Sequence, residues 1–545
     1  MRLHSVIALF VALAVAGTTA PLLAHSGDPK AQDRQPPFVG PGWNSATGNG
    51  ATPFGPGPTF ASSGVQLLSW MTLGTLSATA TNTADCWGYV SPSGREYALV
   101  AHSDGMTIVD LTNPGAPVIV STIPGPGSLW RDVKIFSRYA YVVTEGSGSG
   151  LQVIDLVDID NGNTPLINTV ATGGTSRTHN VAIDEFSGFL YRCGGGNGNL
   201  GLRIYDLANP TMPSYVTAWN GRYVHDAQVV TYTTGPYAGK QIAFCCGGLN
   251  NGNLNTGLTI LDVTDKSNIV VLSEIVYPNG EYSHQGWLSE DRQYFFLNDE
   301  LDEGNLSLPT KTFVFNVVSL TAPFLATTFT NNNPAIGHNL YTKGNLLYEA
   351  NYRSGVRIFD VTNPLAAVEV AYFDTYPGSD SANFNGLWNV FPYFPSGIFI
   401  GSDFERGLFV WHLGTVSSDC NANNVDDALE ITLGISEDCD GNGIPDSCDL
   451  LSGAPDLDGN GILDSCECTN PFIRGDSNGS ATVEVGDAVH MLAYMFSAGP
   501  SPLPIDAADS NNDDVIDISD PVFILSYLFT GGAAPDEPFL TAGCE

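Results

Sequence analysis

Between residues 64 and 414 the chain alternates short apolar runs with turns rich in Gly, Pro, Asn and Asp, and the runs are of strand length. The clearest share one ending, an apolar strand closed by Asp and followed by a proline turn: Ile108-Val109-Asp110-Leu111-Thr112-Asn113-Pro114, Ile204-Tyr205-Asp206-Leu207-Ala208-Asn209-Pro210 and Ile358-Phe359-Asp360-Val361-Thr362-Asn363-Pro364. Weaker copies lie at 153–156, 260–263 and 314–317. Each copy sits in a larger unit of three strands, a turn and a fourth strand. The units start near Cys86, Trp130, His179, His225, His284, His338 and Asn385, about 44 to 59 residues apart. Short strands at this period predict radial four-stranded blades. A parallel β-helix has shorter rungs, and tandem immunoglobulin-like sandwiches need units of ~100 residues. The pattern therefore predicts a mainly β fold, a seven-bladed β-propeller over residues 64–414. The seventh unit stops one strand short, and Val65-Gln66-Leu67-Leu68-Ser69-Trp70 has the character of the missing strand. Pairing the two ends would close the ring and leave no radial edge exposed.

After Gly414 the pattern changes to acidic loops. Calcium takes six to eight oxygens, which a 12-residue loop supplies from positions 1, 3, 5, 7, 9 and 12. Five windows fit. They are Asp419, Asn421, Asn423, Asp427, Glu430; Asp438, Asp440, Asn442, Asp446, Asp449; Asp456, Asp458, Asn460, Asp464, Glu467; Asp476, Asn478, Ser480, Glu484, Asp487; and Asp509, Asn511, Asp513, Asp517, Asp520. The last two precede apolar helix candidates, 488–496 and 521–529, so they predict a small α-helical domain of paired EF-hand-like loop-helix units.

These motifs carry resemblances. The Asp-x-x-Asn-Pro strand ends resemble LVIVD repeats, and the ring as a whole is similar to the choice-of-anchor B family of bacterial surface proteins. The supporting stretches are Asp85-Cys86-Trp87-Gly88-Tyr89, Trp130-Arg131-Asp132-Val133, Thr178-His179-Asn180, Tyr223-Val224-His225-Asp226-Ala227, Tyr282-Ser283-His284-Gln285-Gly286-Trp287, Asp299-Glu300-Leu301-Asp302-Glu303 and Gly337-His338-Asn339-Leu340. The resemblance implies a surface-exposed propeller joined to an anchor module and brings no established activity with it. The second and third acidic windows resemble thrombospondin type 3 repeats, placing these over 415–468, and the last two resemble a type I dockerin, over 469–545. A dockerin implies a cohesin-like or other cell-surface partner. The fourth window departs from that family at Ser480 and at Ala481, where Gly is usual.

Composition adds the compartment. Met1, Arg2 and His4 precede an apolar run from Val6 to Val15, and small residues lead to Ala24, which marks 1–24 as an export signal peptide. Residues 25–63 mix Gly, Pro, Ser and Asn without apolar periodicity and predict a flexible linker. No later apolar stretch is long enough to span a membrane. The net charge of −37 speaks against nucleic acid as a partner. Six of the ten cysteines lie beyond residue 418, which in an exported chain predicts disulfides there. Cys468 and Cys544 bracket the dockerin-like unit, and Cys193 is expected to bond Cys245 or Cys246, because both sites end second strands of neighbouring blades.

Four units open on histidine: His179, His225, His284 and His338. Blade geometry puts the start of an inner strand and the end of the second strand on one face, where Glu145, Glu300 and Glu349 fall. Imidazoles and carboxylates at that mouth could hold a transition metal or a polar ligand. Asp226 is a further carboxylate, and Arg131 offers a guanidinium for an acidic ligand. Histidines at one blade position equally suit hydrogen bonds tying adjacent blades, so both readings stand. Trp87, Trp130, Trp287 and Trp388 read as blade packing rather than sugar platforms. No Gly-x-Ser-x-Gly, His-Glu-x-x-His or phosphate loop occurs, and no catalytic residue is assigned. The function expected is a secreted or cell-surface binding or scaffold protein attached through a calcium-dependent tail, with a polysaccharide or protein ligand at the ring. The alternative is an extracellular metal-dependent lyase or hydrolase acting on polysaccharide from the histidine-bearing face.

Overall fold

The computed structural model describes residues 29–46, 49–50, 60–174, 176–195, 201–248, 256–423, 425–456, 461–463, 465–466, 472–502, 504–513 and 515–539. The signal peptide, Cys468, Cys544, Asp458, Asn460, Asp464 and Glu467 lie outside them. The chain divides into two compact units, meeting in sequence at Val416 and Ser417.

The first unit is a seven-bladed β-propeller. Its inner strands are Thr83–Val90, Arg131–Phe136, Asn180–Asp184, Asp226–Thr231, Ser283–Leu288, Leu340–Lys343 and Leu387–Phe391, each followed antiparallel by its second, third and outer strands. The recurrent strand-end Asp shapes the turn to the outer strand. Its Oδ1 accepts the N–H two residues on, from Thr112 to Asp110 (2.8 Å), Val157 to Asp155 (3.0 Å), Ala208 to Asp206 (2.7 Å), Thr264 to Asp262 (3.0 Å) and Thr362 to Asp360 (2.8 Å). Asn316 does the same in the fifth blade. This Asx turn reverses the chain, and after Asp110, Asp206 and Asp360 a proline four residues on reinforces the turn. Just before it every blade carries a register shift between third and outer strand, as at Ile108/Val109 and Ile358/Phe359. That irregularity adds twist and tilts the exposed outer strand.

Closure occurs as the strand pattern predicts. Val65–Met71 is the outer strand of the blade built from Leu387–Phe391, Ile398–Asp403 and Gly407–Leu413, with Phe409 opposite Trp70. Trp70 is buried, stacks on Phe409 at 5.4 Å and donates Nε1–H to Arg406 O.

Two expectations change. The stretch 25–63, expected as flexible linker, is in its described part built into the ring. Trp43–Asn44 pairs with Val65–Met71, Ser62–Ser63 adds a strand to the sixth blade, and Phe60 is buried edge-on to Trp70. The turn-forming composition was real, but the buried Trp43 and Phe60, with Phe38 against Trp70, supply enough apolar surface to dock it. The disulfide expected at Cys193 is absent, since Cys86, Cys193, Cys245 and Cys246 are all buried thiols. Cys245 shares an apolar cluster with Cys193, but Cys193 Sγ lies 4.0 Å from Tyr191 O. Cys246, one residue along the strand, faces the opposite cluster with Phe295.

The second unit is stapled where disulfides were expected, by Cys420–Cys448 and Cys439–Cys466. Its longer helices, Val485–Ser497 and Ser519–Thr530, pack around Ala488, Met491, Ala508 and Ile524. No described helix in the chain is long and apolar enough to cross a membrane.

Trp70→Ala should cost about 3–5 kcal/mol of ring stability, because it removes the largest side chain of the closing strand from a filled aromatic cluster. Urea unfolding followed by tryptophan fluorescence measures it, and an unchanged midpoint would contradict the role of this strand as the clasp.

Candidate functional site

The inner strands begin at one mouth of the channel, and their register sets what gathers there. Each strand start lies opposite the end of the second strand, as Arg131 opposite Thr144 and Ser283 opposite Asp299. His179, His225, His284 and His338 consequently form an arc at one level, with successive ring centroids 4.3, 4.2 and 4.1 Å apart. Trp388 continues the arc 4.8 Å from His338, and Trp130 stands 6.1 Å from His179. All four imidazoles are buried.

Both readings of these histidines describe part of the geometry. His225 Nδ1–H donates to His284 O (2.9 Å) and His338 Nδ1–H to Trp388 O (2.5 Å), each on the next blade. A carbonyl can only accept, so both rings are fixed with Nε2 unprotonated when neutral. His338 Nε2 is turned toward Glu300, and burial holds His338 and His284 well below the usual imidazole range, so both are neutral. His179 instead pairs Nδ1 with Glu145 Oε1 at 2.6 Å.

Glu300 is the focus. Asp299 accepts the N–H groups of Glu281, Tyr282 and Leu301 and the Tyr277 hydroxyl, which locks the turn that presents Glu300 to the mouth. Glu300 Oε2 lies 3.6 Å from His284 Nε2 and Oε1 lies 3.5 Å from His338 Nε2, while Tyr352 donates to Oε1 at 2.8 Å. Among the described residues, His338 Nε2 and both ring nitrogens of His284 make no hydrogen bond. The His338 Nε2 lone pair and the Glu300 carboxylate repel at such a separation unless something positive sits beside them. Among the described residues a cation there is Lys30, whose Nζ lies 2.8 and 2.9 Å from the two carboxylate oxygens and 5.4 Å from the Trp388 ring centre. Two ligands held about 2.1 Å from one tetrahedral ion sit ~3.4 Å apart, so the imidazole–carboxylate spacings also suit a shared divalent ion. The three ligand atoms lie within 4.8 Å of one another.

The other candidates lie elsewhere. Arg131 donates to His102 O (3.0 Å) and Pro126 O (2.6 Å), so its guanidinium clasps the preceding blade. Glu349 is buried between blades, accepting from Thr312 Oγ1 and Asn351 Nδ2. Asp226 joins a deeper cluster with Asp85, Asp132 and Lys134, in which Lys134 donates to Asp132 Oδ1 at 2.6 Å. The polar neighbours of the histidines also staple blades: Asn180 donates to His225 O, and Gln285 Oε1 accepts Leu340 N–H. Of the tryptophans, Trp130 and Trp388 are buried packing residues. Trp87 and Trp287 are half-buried and, with Lys134, Asp226, Gln228 and Tyr341, line a cavity of about 230 Å³ further along the strands. Sequence reasoning missed Lys30, which lies in a turn-rich stretch without periodicity, and Lys134, whose place in an inner strand was a readable signal.

In the second unit the acidic loops are closed by hydrogen bonds between near neighbours. The carboxylate at position 1 accepts the N–H of position 5 in four of them: Asp419 from Asn423 (3.0 Å), Asp438 from Asn442 (3.1 Å), Asp476 from Ser480 (2.9 Å) and Asp509 from Asp513 (3.1 Å). In the third, Asp456 accepts Gly461 N–H. The carboxylates of Glu430, Asp487 and Asp520 at position 12 are wholly buried. Burial, with Asp476 nearby, pushes Asp487 up to about 6, and burial with Asp509 raises Asp520. Buried acids of like charge in an oxygen-rich loop fit a divalent hard cation. Ala481 has φ of +64°, the left-handed conformation for which Gly is usual at this loop position.

An LVIVD repeat model matches residues 90–123, the second to outer strands of the first blade. No curated protein matches the chain. Among solved structures, a functionally unknown protein from Desulfotomaculum acetoxidans is similar at 15% identity over 55% of this chain and 87% of that one, with a TM-score of 0.40. Kuenenia stuttgartiensis hydrazine synthase is similar at 12% identity over 59% and 94%, with a TM-score of 0.42.

Burial pushes Glu349 up to about 7 from 4.5. The folded ring therefore holds a proton that the unfolded chain releases, and this group's contribution falls as pH rises from about 4.5 to 7, by roughly 3 kcal/mol at most. Glu349→Gln should lose that dependence, so its stability relative to the parent should improve between pH 5 and pH 7.5. Urea midpoints at the two pH values test this, and parallel curves would refute it.

Proposed function

We propose that this LVIVD-repeat propeller is an exported binding or scaffold protein of the choice-of-anchor B kind, held in place by a calcium-dependent tail. The tail combines thrombospondin type 3-like loops with a dockerin-like pair of loop-helix units. The observation that carries the attachment is the complete burial of Glu430, Asp487 and Asp520 inside loops already dense in carboxylates. Such burial is costly until a cation neutralises it. Bound calcium would draw on the five acidic windows and present the helices Val485–Ser497 and Ser519–Thr530 to a cohesin-like or cell-surface partner. The two disulfides and the leader-like N-terminus support an extracellular setting.

For the ring, the mouth formed by His284, Glu300 and His338 supports a site for a divalent transition metal, with Tyr352 orienting the carboxylate. The metal would act as a Lewis acid or as a bridge to an oxygen-bearing ligand such as a polysaccharide. This donor set is also what favours the second reading, a metal-dependent polysaccharide-active enzyme. Loss of zinc-dependent polysaccharide cleavage in Glu300→Gln would establish that reading, and absence of cleavage by the zinc-loaded parent would leave binding.

In limited proteolysis of the full chain, millimolar calcium should protect the segment beyond residue 417, and a chelator should expose it while the ring survives in both. Equal cleavage with and without calcium would end the attachment reading. Ala481→Gly relieves a left-handed alanine and should stabilise its loop by about 1 kcal/mol. The calcium midpoint for protection should then fall several-fold, and an unchanged midpoint would place the limiting step in another loop.

A further inference from the structure

Lys30 is the exception in its own segment. Glu300 fixes it at 2% exposure across 270 residues of sequence, while the residues from Ala31 to Gly40 are exposed or half-exposed. Among the described residues the arm beyond Lys30 is held by Asp33, which accepts Phe384 N–H (2.9 Å) and whose carbonyl accepts Asn385 Nδ2–H (3.1 Å), by Arg34, which reaches Thr81 and Asn82 (2.9 and 3.2 Å), and by Phe38 N–H, which reaches Glu405 O (3.0 Å). From Asp33 to Phe38 it contributes no strand to any sheet. One buried ammonium on an otherwise superficial arm is the form of a plug. Its charge lies beside the Glu300 carboxylate, which the His338 Nε2 lone pair faces at 3.5 Å.

We infer that the N-terminal arm is a gate in cis: Lys30 fills the cation position of the His284–Glu300–His338 site, and a divalent transition metal enters only when that ammonium leaves. The inference rests on the metal reading of the mouth given above. The exchange replaces one positive charge on Glu300 by two, so the filled site carries a net charge of +1, and it replaces the two ammonium–carboxylate contacts by three ligands. The ammonium departs protonated into water, and the incoming ion takes the Glu300 carboxylate together with the two Nε2 lone pairs, one of which His338 already presents by donating Nδ1–H to Trp388 O. The Trp388 face that receives the ammonium stays in place to receive it again. The ring would thus hold metal weakly while the arm is seated and tightly once a partner, or a cut in the arm, removes it.

The test uses the full chain with calcium saturating, so that the acidic loops are filled, and cobalt(II) as the probe. Its visible absorption reports low-coordinate nitrogen ligation, and competition with a chelator gives affinity. Lys30→Ala should bind one cobalt at least tenfold more tightly than the parent, and adding His338→Ala should abolish the absorption. Lys30→Met keeps an apolar stem against Trp388 and should behave as Lys30→Ala does, which guards against a loss of fold; melting temperatures of all variants are read alongside. Lys30→Arg keeps the charge and should stay weak. If parent and Lys30→Ala bind equally, with His338→Ala abolishing both, the gate is overturned and the metal site stands. If neither Lys30→Ala nor Lys30→Met shows cobalt absorption that depends on His338, the metal reading fails and the gate fails with it.

Discussion

The ring depends on hydrogen bonds that inner-strand side chains make to the next blade. Each blade pairs its four strands internally, but its inner edge leaves backbone groups facing the next blade, and side chains that meet them fix the rotation of the blades about the channel. Here His225 and His338 spend Nδ1–H on a neighbouring carbonyl, Asn180 spends its amide on His225 O, and Asp132 accepts Val181 N–H at 2.7 Å. Buried polar atoms left without such partners would each cost about 1–3 kcal/mol, so the layer specifies one arrangement of seven wedges. The same bonds decide the chemistry of the mouth. An imidazole that has given its only proton to a carbonyl turns an acceptor inward, and repetition at one blade position brings several acceptors together.

That inward layer makes Glu300 a desolvated anion among lone pairs, and the N-terminal arm answers it with Lys30. The tail meets the same constraint differently. Its loops bury acids beside acids, with Arg474 the only lysine or arginine beyond Ser418. Arg474 is itself engaged with Asp509 O. A buried carboxylate needs a compensating charge, and each unit has its own source: a lysine of the chain in the ring, and an ion from outside in the tail.

Much of this was legible in residue order. The strand-end Asp marks a local Asx turn, so its six copies, counting Asn316, located the blades without reference to the rest of the fold. The closing strand was readable because the seventh unit lacked one and Val65–Met71 had its character. Position along a strand sets depth in a propeller, which is why His179, His225, His284 and His338 could be placed at one mouth. The loop spacings were readable for the same reason, since a 12-residue turn closes on its own residues.

What the order of residues could not decide were contacts between parts remote in sequence. Arg131, Asp226 and Glu349 share the blade positions of true mouth residues, yet each turns to a different neighbour: backbone carbonyls, the Lys134 cluster and Thr312. Cys193 and Cys245 enter one apolar cluster as buried free thiols, and Cys246 faces the opposite one, a packing outcome that the strand ends alone did not reveal. Lys30 carries no periodic signal, and only the folded ring brings it to Glu300. Sequence by itself determined the local geometry, namely blade period, turns, ring closure and loop curl, because those bonds join near neighbours. Tertiary structure alone decided which polar groups face the channel and what neutralises them, because that follows from how seven separately formed sheets and a passing arm share one buried space.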